Sequence, residues 1–175
     1  LLARLKELAR TDVLTGLLNR RAFDERLAEE LDRARRTEEP FTLILGDIDH
    51  FKAINDRHGH AAGDAALSRI ADLLIEQSRS IDAVARVGGE EFALILPGTD
   101  LERGVGAAER LRYALKRTTE HEALTMSFGV VEAPRHGRLP DDLLRKADRA
   151  LYAAKAKGRD RTVTPGDVTA AAAPS

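Results

Sequence analysis

Apolar residues recur along the chain at two spacings, one typical of helices and the other typical of strands. Leu67, Ile70 and Leu74, with neighbouring alanines, form a stripe that predicts a helix over about 63–79. The same spacing predicts further helices over about 20–36, 105–115 and 144–154. Short apolar runs predict strands at "FTLILGDID", "AVARV", "EFALILP", "ALTMSFGVVE" and "RTVT".

The alternation of these helices and strands indicates the fold class. It predicts an α/β (α+β) sandwich built on a mixed sheet. We expect one domain over 12–164, preceded by the end of a helix at 1–11. The segment 165–175, "PGDVTAAAAPS", has no amphipathic pattern, so we expect a disordered tail.

Gly88 and Gly89 separate the two strands in the middle of the chain. A Gly-Gly pair between two apolar runs is typical of a tight hairpin whose two central residues adopt positive φ. Glycines at such a turn also allow a ligand to approach the backbone. We therefore predict a two-residue hairpin turn that is open to a ligand.

Composition and charge exclude several classes of protein. The chain has 28 Lys and Arg residues, 29 Asp and Glu residues and a net charge of -1, so it lacks the basic excess of a protein that binds nucleic acid polymers. The absence of cysteine excludes disulfides and thiolate metal sites. No apolar stretch approaches the roughly 20 residues of a membrane span, and no signal peptide is visible. We expect a cytoplasmic domain with no membrane segment in this fragment.

The first residues have a helical stripe of Leu1, Leu5 and Leu8 among charged residues. Two interpretations stay open: the end of a coiled coil that pairs two copies, or a simple capping helix. The chain starts without Met, so we expect an upstream sensory or receiver module that this sequence does not include.

Four acidic residues stand at the ends of two predicted strands. Asp47 and Asp49 are two residues apart and share a face of the strand, whereas Glu90 and Glu91 point to opposite faces. If the hairpin lies beside the first strand, one glutamate meets Asp47, and a hard divalent cation would relieve the repulsion. Taken singly, each acid is more often a solvated turn residue, so the spacing alone leaves both interpretations open.

Five sequence blocks together resemble one family. "GGEEF" at 88–92 is similar to the signature of the GGDEF domains, the bacterial diguanylate cyclases, in its Glu variant. The other blocks follow the order of the family over residues 12–161, and they read "DVLTGLLNRRAF", "DIDHFKAINDRHGHAAGD", "SFGV" and "ADRALYAAKAKGRDR". Five ordered blocks are far more specific than any single motif.

The resemblance implies a fold, a reaction and partners. The fold is like the palm of adenylyl cyclases and certain polymerases, with a central five-stranded sheet. The reaction condenses two GTP molecules to cyclic di-GMP and two pyrophosphates, with two Mg²⁺ or Mn²⁺ ions at each active site. One chain supplies one guanine pocket for a product with two guanines, so the resemblance also implies a homodimer with two-fold symmetry.

The resemblance assigns roles to individual residues. It implies that Asp47, the Ile48 carbonyl and Glu90 bind the metal. Glu91 is the neighbouring acid, for metal binding or for removing the proton of the 3′-hydroxyl, and which glutamate is the base stays open. The residues that face the substrate in the family match Asn55 and Asp64 for guanine, His60, the turn glycines Gly88 and Gly89, and the phosphate-side cations Lys52, Lys155 and Arg159.

A second site is implied by an RxxD motif. In the family, the motif formed here by Arg79 and Asp82 binds the product and stops turnover, and Arg110 matches a distant second arginine. As a bare pattern the motif is weak, because an exposed ion pair at a helix end has the same sequence. Asp160 departs from the family pattern, since asparagine is common at this position.

Two other functions stay open alongside an active cyclase. A non-catalytic receptor for GTP or cyclic di-GMP would not need the acids and cations that this chain retains. A relative that makes a mixed adenine–guanine dinucleotide is disfavoured by Asp64, because adenine lacks the donor pair that this carboxylate would accept.

Overall fold

The computed structural model describes residues 1–117 and 124–172 of the chain. Side chains at 6–8 and 170–172 lie outside the described residues, so the contribution of Leu8 to the predicted stripe is not tested. The helices are α1 (Leu2–Leu8), α2 (Arg20–Thr37), α3 (Phe51–His58), α4 (His60–Glu76), α5 (Leu101–Arg117), α6 (Pro140–Ala156) and α7 (Pro165–Ala172). The strands are β1 (Phe41–Ile48), β2 (Ala83–Arg86), β3 (Glu91–Pro97), β4 (Met126–Ala133) and β5 (Thr162–Val163).

The five strands form one mixed sheet in the order β2-β3-β1-β4-β5. β1 lies at the centre and pairs antiparallel with β3 on one side and with β4 on the other. β5 pairs parallel with β4, and this pairing makes the sheet mixed. The predicted five-stranded mixed sheet flanked by helices is therefore confirmed.

Helices cover both faces of the sheet. On one face, apolar residues of α2 and α6 pack on β1 around Phe23, Leu43 and Leu151. On the other face, α4 and α5 pack on the sheet around Ile44 and Leu111. Because both faces are covered, β1 is buried along its whole length, and this explains why its sequence is apolar throughout rather than alternating.

Three helices, α3, α4 and α7, differ from the sequence prediction. The predicted helix over about 63–79 runs from His60 to Glu76, and a separate helix, α3, precedes it. The sequence does not predict α3, because none of the residues of this helix is fully buried and its apolar stripe is short.

The predicted disordered tail at 165–175 is wrong for Pro165–Ala172, which form α7. The sequence lacks an amphipathic pattern there because the helix is alanine-rich. Among its described side chains, Val168 alone packs on the small cluster formed by Ala150, Ala154 and Val163. Residues 173–175 lie outside the described residues.

The hairpin turn between β2 and β3 also differs from the prediction. Gly88 and Gly89 are not among the residues with positive φ, so the turn is not a primed two-residue turn. Its loop is wider, since β2 ends at Arg86 and β3 begins at Glu91. The amide of Val87 donates to the carbonyl of Glu91 at 2.9 Å and closes the loop.

Within the residues that the structure describes, no helix combines the length and the apolar character needed to cross a bilayer.

Close packing of β4 against α6 gives a stability prediction. A Cβ at Gly129 would overlap the carbonyl oxygen of Ala147 and would lie 2.6 Å from the amide nitrogen of Leu151. We expect Gly129→Ala to lower the free energy of unfolding by at least about 2 kcal/mol, because the contacting atoms belong to the backbone. The matched control is Gly106→Ala in α5, where a Cβ meets only a flexible side-chain atom of Arg110 at 3.7 Å. The control should stabilise the chain by up to about 1 kcal/mol. Urea unfolding of both variants measures the difference, and equal stability would contradict this account of the packing.

Candidate active site

A pocket of about 440 Å³, lined mostly by charged residues, lies where β1 ends at the edge of the sheet. Its walls come from the end of β1, the start of α3, the β2–β3 hairpin and the C-terminal end of α6. The residues that line it are Asp47, Ile48, Asp49, His50, Phe51, Lys52, Ala53, Asp56, Glu90, Lys155 and Arg159. The structure thus brings together six of the residues that sequence analysis assigned to metal and phosphate: Asp47, Ile48, Lys52, Glu90, Lys155 and Arg159.

Asp47 is one of two buried acids of this pocket, the other being Asp49, and its relative exposure is 4%. It is the next-to-last residue of β1, and its Oδ2 accepts a hydrogen bond from Lys155 Nζ at 2.5 Å. Burial, with a smaller effect of the nearby Asp49 carboxylate, raises the pKa of Asp47, and Lys155 partly opposes this rise. The pocket therefore holds a carboxylate whose ionised form is only partly compensated by the protein.

Glu90 comes from the hairpin and faces the same pocket. Its carbonyl accepts a hydrogen bond from the amide of Ile48 at 3.2 Å, so the β1–β3 pairing continues to this residue. Burial and the Asp47 carboxylate raise the pKa of Glu90. The Asp47 carboxylate thus opposes ionisation of Glu90, and of the two hairpin glutamates it is Glu90 that lines the pocket with Asp47.

Glu91 lies on the opposite side of the strand, as the alternation of side chains along a strand requires. It lines a different, small pocket with Arg20 and Asp148. Its carboxylate lies against the backbone of Gly88, where a Cβ would stand 2.6 Å from the carboxylate oxygen. A side chain at Gly88 would displace the flexible end of Glu91, and no positive φ requires glycine there. Glu91 does not line the pocket of Asp47 and Glu90.

The donor set of the first pocket suits a hard divalent cation. Mg²⁺ usually takes one or two carboxylates from the protein and completes its shell with water and phosphate oxygens. Asp47 and Glu90 supply two carboxylates of raised pKa, and Ile48 lines the same pocket. Among the described residues, no group of three or more His, Cys, Asp or Glu side chains is arranged to hold a metal ion. A cation here would thus depend on oxygens from a bound phosphate.

Asn55 and Asp64 lie on the neighbouring helices α3 and α4. Asn55 Oδ1 is buried and has no hydrogen-bond partner in the structure, and it abuts Gly63, where a Cβ would overlap it. Asp64 follows Gly63 directly and is exposed, as is His60 at the start of α4. The structure therefore groups Asn55 with the helix turn that carries Asp64, beside the first pocket but not lining it.

A second pocket of about 260 Å³ contains the RxxD residues. Arg79, Asp82 and Arg110 all line it, although Arg110 comes from α5. Arg79 donates to both oxygens of Asp82 and also to the carbonyl of Pro97 and the hydroxyl of Thr99, at 2.9–3.4 Å. These bonds hold the guanidinium of Arg79 in one orientation at the pocket wall.

Two polar contacts that position the site were not predicted from the sequence. Asp49 accepts hydrogen bonds from the hydroxyls of Thr125 at 2.7 Å and Ser127 at 2.6 Å, so it joins the end of β1 to β4. Arg86 donates to the Asp12 carboxylate at 3.2 Å and to the carbonyl of Gly89 at 2.8 Å, so it joins the hairpin to the start of the domain. The only sequence signal for these contacts is that each residue lies inside one of the quoted blocks or next to it.

The sequence pattern described as "Diguanylate cyclase, GGDEF domain" matches residues 9–161. The chain belongs to this GGDEF family. The match covers most of the domain, including both hairpin glutamates, and the resemblance seen in the sequence is confirmed.

Relatives within the GGDEF family are similar in sequence and in fold. Diguanylate cyclase DgcP of Pseudomonas aeruginosa is 44% identical over 161 residues, which are 89% of this chain and 24% of DgcP. The coiled coil and GGDEF domain of DgcB from Caulobacter crescentus, solved in complex with c-di-GMP, is 32% identical with a TM-score of 0.86, covering 93% of this chain and 89% of that one. The active GGEEF domain of a diguanylate cyclase from Vibrio cholerae is 34% identical with a TM-score of 0.79, and the match covers 85% of this chain and 97% of that domain. The chain thus spans about a quarter of the length of DgcP and nearly all of the solved domains.

The like charges of Asp47 and Glu90 predict an effect of pH on stability. The pKa of Glu90 is raised in the folded chain, so stability falls as the pH rises from below the ordinary glutamate value through the raised value. We expect Glu90→Gln to raise the free energy of unfolding at pH 7 by about 0.5–1 kcal/mol after solvent screening, with no gain below about pH 4.

Chemical unfolding at several pH values without divalent cations measures this gain. Glu38→Gln is the matched control, because Glu38 is an exposed glutamate of the α2–β1 connection. A Glu90→Gln variant less stable than the wild type at pH 7 would show that the carboxylate is held by an attractive partner.

Proposed function

We propose that the chain is a diguanylate cyclase domain that condenses two GTP molecules to cyclic di-GMP and two pyrophosphates. The observation that carries the proposal is the pairing of Asp47 with Glu90 in a pocket that also contains Lys52, Lys155 and Arg159. Two acidic side chains that can bind a divalent metal ion lie beside three basic side chains that can bind a triphosphate. Phosphoryl transfer uses this combination of metal ligands and positive charge. Membership of the GGDEF family supports the same reaction. A cytoplasmic location, where GTP is available, is part of this proposal.

Asp47, Glu90 and the carbonyl of Ile48 would hold Mg²⁺ or Mn²⁺, up to two ions for each site. When bound, such ions neutralise charge on the triphosphate and lower the pKa of a coordinated hydroxyl. The protein contributes the positions of the two carboxylates, which the β1–β3 pairing and the Ile48–Glu90 hydrogen bond keep adjacent. Lys155 donates to Asp47 at 2.5 Å and would orient this carboxylate.

The reaction transfers a nucleotidyl group between two bound GTP molecules. The 3′-oxygen of one GTP attacks the α-phosphorus of the other, the bond to the β-phosphate oxygen breaks, and pyrophosphate leaves with the electron pair. The proton of the 3′-hydroxyl passes to a base on the protein or to water. Glu90 faces the pocket and has a raised pKa, which favours it over Glu91 as the acceptor or as the ligand of the attacking oxygen.

Guanine recognition is proposed for Asn55 and Asp64. The buried Oδ1 of Asn55 has no hydrogen-bond partner among the described residues, and an unpaired buried acceptor is costly unless a ligand donates to it. Asp64 would accept from the two donors of the guanine edge, with His60 at the start of the same helix. Adenine lacks that pair of donors, so GTP is the expected substrate.

A homodimer completes the site. Each chain would bind one GTP at its Asp47–Glu90 pocket, whereas the product contains two guanosines, so each copy presents the 3′-hydroxyl of its GTP to the α-phosphate of the other GTP across a two-fold axis. The exposed Leu1, together with Leu2 and Leu5 of α1, supports an upstream helical connection that brings two copies together. We also propose that product binds in the second pocket, at Arg79, Asp82 and Arg110, and slows turnover.

The proposal predicts how turnover depends on protein concentration. With GTP and Mg²⁺ the domain should release pyrophosphate and form cyclic di-GMP, at a rate per chain that climbs with protein concentration until the dimer saturates. Glu90→Gln should lower the rate by at least about a hundredfold, and chelation of Mg²⁺ should abolish it. Pyrophosphate release and chromatography of the nucleotides measure both effects.

Each alternative function has its own outcome in this assay. GTP binding without pyrophosphate at any protein concentration would indicate a receptor and overturn the proposal. A mixed product from equal ATP and GTP would indicate a relative with a different base preference. A rate per chain independent of concentration would contradict the two-copy site while leaving the chemistry intact.

The second pocket predicts the behaviour of product inhibition. Arg79→Ala removes a guanidinium that Asp82 and Thr99 hold at the pocket wall, so we expect the inhibition constant for cyclic di-GMP to rise at least about tenfold. Initial rates at zero product should stay within about twofold of the wild type. The matched control is Arg145→Ala, which removes an exposed arginine paired with Asp142 on α6. If Arg79→Ala and the control are inhibited alike, the product does not act through this pocket.

A further inference from the structure

The chain reverses direction after α6 through three consecutive residues with positive φ. Gly158, Arg159 and Asp160 have φ values of 117°, 64° and 45°. Glycine adopts this conformation readily, but for two adjacent residues with side chains it is rare and costly. Such a conformation persists only where neighbouring contacts hold it. The contacts at Asp160 are therefore informative.

Asp160 is held from three directions. Arg112 of α5 donates through Nη1 to the Asp160 carboxylate at 2.9 Å and to its carbonyl at 3.2 Å. Lys116, one helical turn further on α5, pairs with the other carboxylate oxygen at 2.5 Å. The amide of Asp160 donates to Asp49 at 3.0 Å. Side chain, carbonyl and amide of one residue are thus all used by other elements.

These partners are themselves fixed. Arg112 is largely buried and donates to Glu109 from Nε and Nη2 at 2.8–3.3 Å. Its guanidinium carbon lies 5.0 Å from the centre of the Tyr113 ring. Asp49 is buried at the end of β1 and is held by Thr125 and Ser127 of the β4 segment. Asp160 is therefore tied to α5, to β1 and, through Asp49, to β4.

The side chain next to this anchor is Arg159, which reaches into the first pocket. Arg159 lines the pocket beside Asp47, and its positive charge opposes the rise in the pKa of Asp47. Its own backbone amide donates to the carbonyl of Ala154 at 2.9 Å, which fixes where the reversal leaves α6. The exposed guanidinium has no protein acceptor among the hydrogen bonds of the described residues, so it is available for an anionic ligand.

We propose that Arg112 and Asp160 are positioning residues that hold Arg159 in the left-handed conformation from which its guanidinium meets the triphosphate of the substrate. Neither residue lines the first pocket, so both act through Arg159. The inference rests on the proposed function, because it takes a nucleoside triphosphate as the ligand. Arg112 and Asp160 would thus contribute to substrate binding from outside the first pocket, through the backbone conformation that they impose on Arg159.

Two substitutions test the anchor. Asp160→Ala removes both ion pairs and places alanine where φ is positive, and Arg112→Ala removes the bond to the carbonyl. We expect each to raise the KM for GTP and the Kd for a non-hydrolysable GTP analogue with Mg²⁺ about tenfold, with kcat within about threefold, because a phosphate contact made before and during the reaction is lost. Calorimetry of the analogue gives a readout that does not depend on turnover.

The controls separate positioning from loss of fold. Arg145→Ala removes an exposed arginine–aspartate pair from α6, and Glu38→Ala changes a left-handed residue at the far end of β1. Both should bind the analogue like the wild type. Asp160→Asn should restore most of the affinity, because asparagine tolerates positive φ and keeps an acceptor for Arg112. Thermal unfolding of every variant identifies any that has lost its fold.

A double-mutant cycle decides whether the anchor acts through Arg159. In an Arg159→Ala background, adding Asp160→Ala should weaken analogue binding by less than about twofold, since the contact is already lost. If the two effects multiply instead, or if Asp160→Ala and Arg112→Ala bind the analogue like the controls, the proposal is overturned. A wild type that binds the analogue but makes no cyclic di-GMP would refute the proposed function and leave this positioning role standing.

Discussion

Two carboxylates at the end of the central strand pair set the requirements for the rest of this domain. β1 and the loop before β3 bring Asp47 and Glu90 to the same pocket, where burial raises the pKa of both and the Asp47 carboxylate adds to the rise at Glu90. Isolated buried charge of this kind is expensive unless a cation shares it. Lys155 supplies part of that compensation at 2.5 Å, and the remaining negative charge is what makes the pocket suited to a divalent ion and a phosphate.

The C-terminal part of the domain serves this pocket. α6 carries Lys155 in its last turn, and the left-handed reversal after it brings Arg159 to the same wall. β5 then pairs with β4, and the amide of Phe128 donates to the carbonyl of Arg161 at 2.9 Å. The short β5 thus fixes the far end of the reversal, while Arg112 and Asp49 fix its middle.

Much of the fold could be predicted from the sequence because it depends on local patterns, whereas the site residues were assigned through the resemblance of the motifs to the GGDEF family. The apolar runs predict the strands, and the alternation of side chains places Glu90 and Glu91 on opposite sides. The turn conformation of Gly88 and the helix at Pro165–Ala172 could not be predicted, since the first depends on where Glu91 folds back and the second on packing against α6. Asp160 contacts Arg112, which lies 48 positions earlier in the chain, and Asp49, which lies 111 positions earlier. No local sequence pattern predicts contacts over such separations.

The pleat of β3 has a consequence for how the hairpin can vary. Neighbouring side chains of a strand point to opposite faces, so a one-residue slip of β3 against β1 would carry Glu90 away from Asp47 and would also turn every apolar side chain of β3 to the other face of the sheet. The register that places Glu90 in the first pocket is therefore the register that buries Phe92 and Leu94. Selection for a filled core thus also preserves the position of this acid, whereas residues inserted between Arg86 and Glu90 would leave both unchanged.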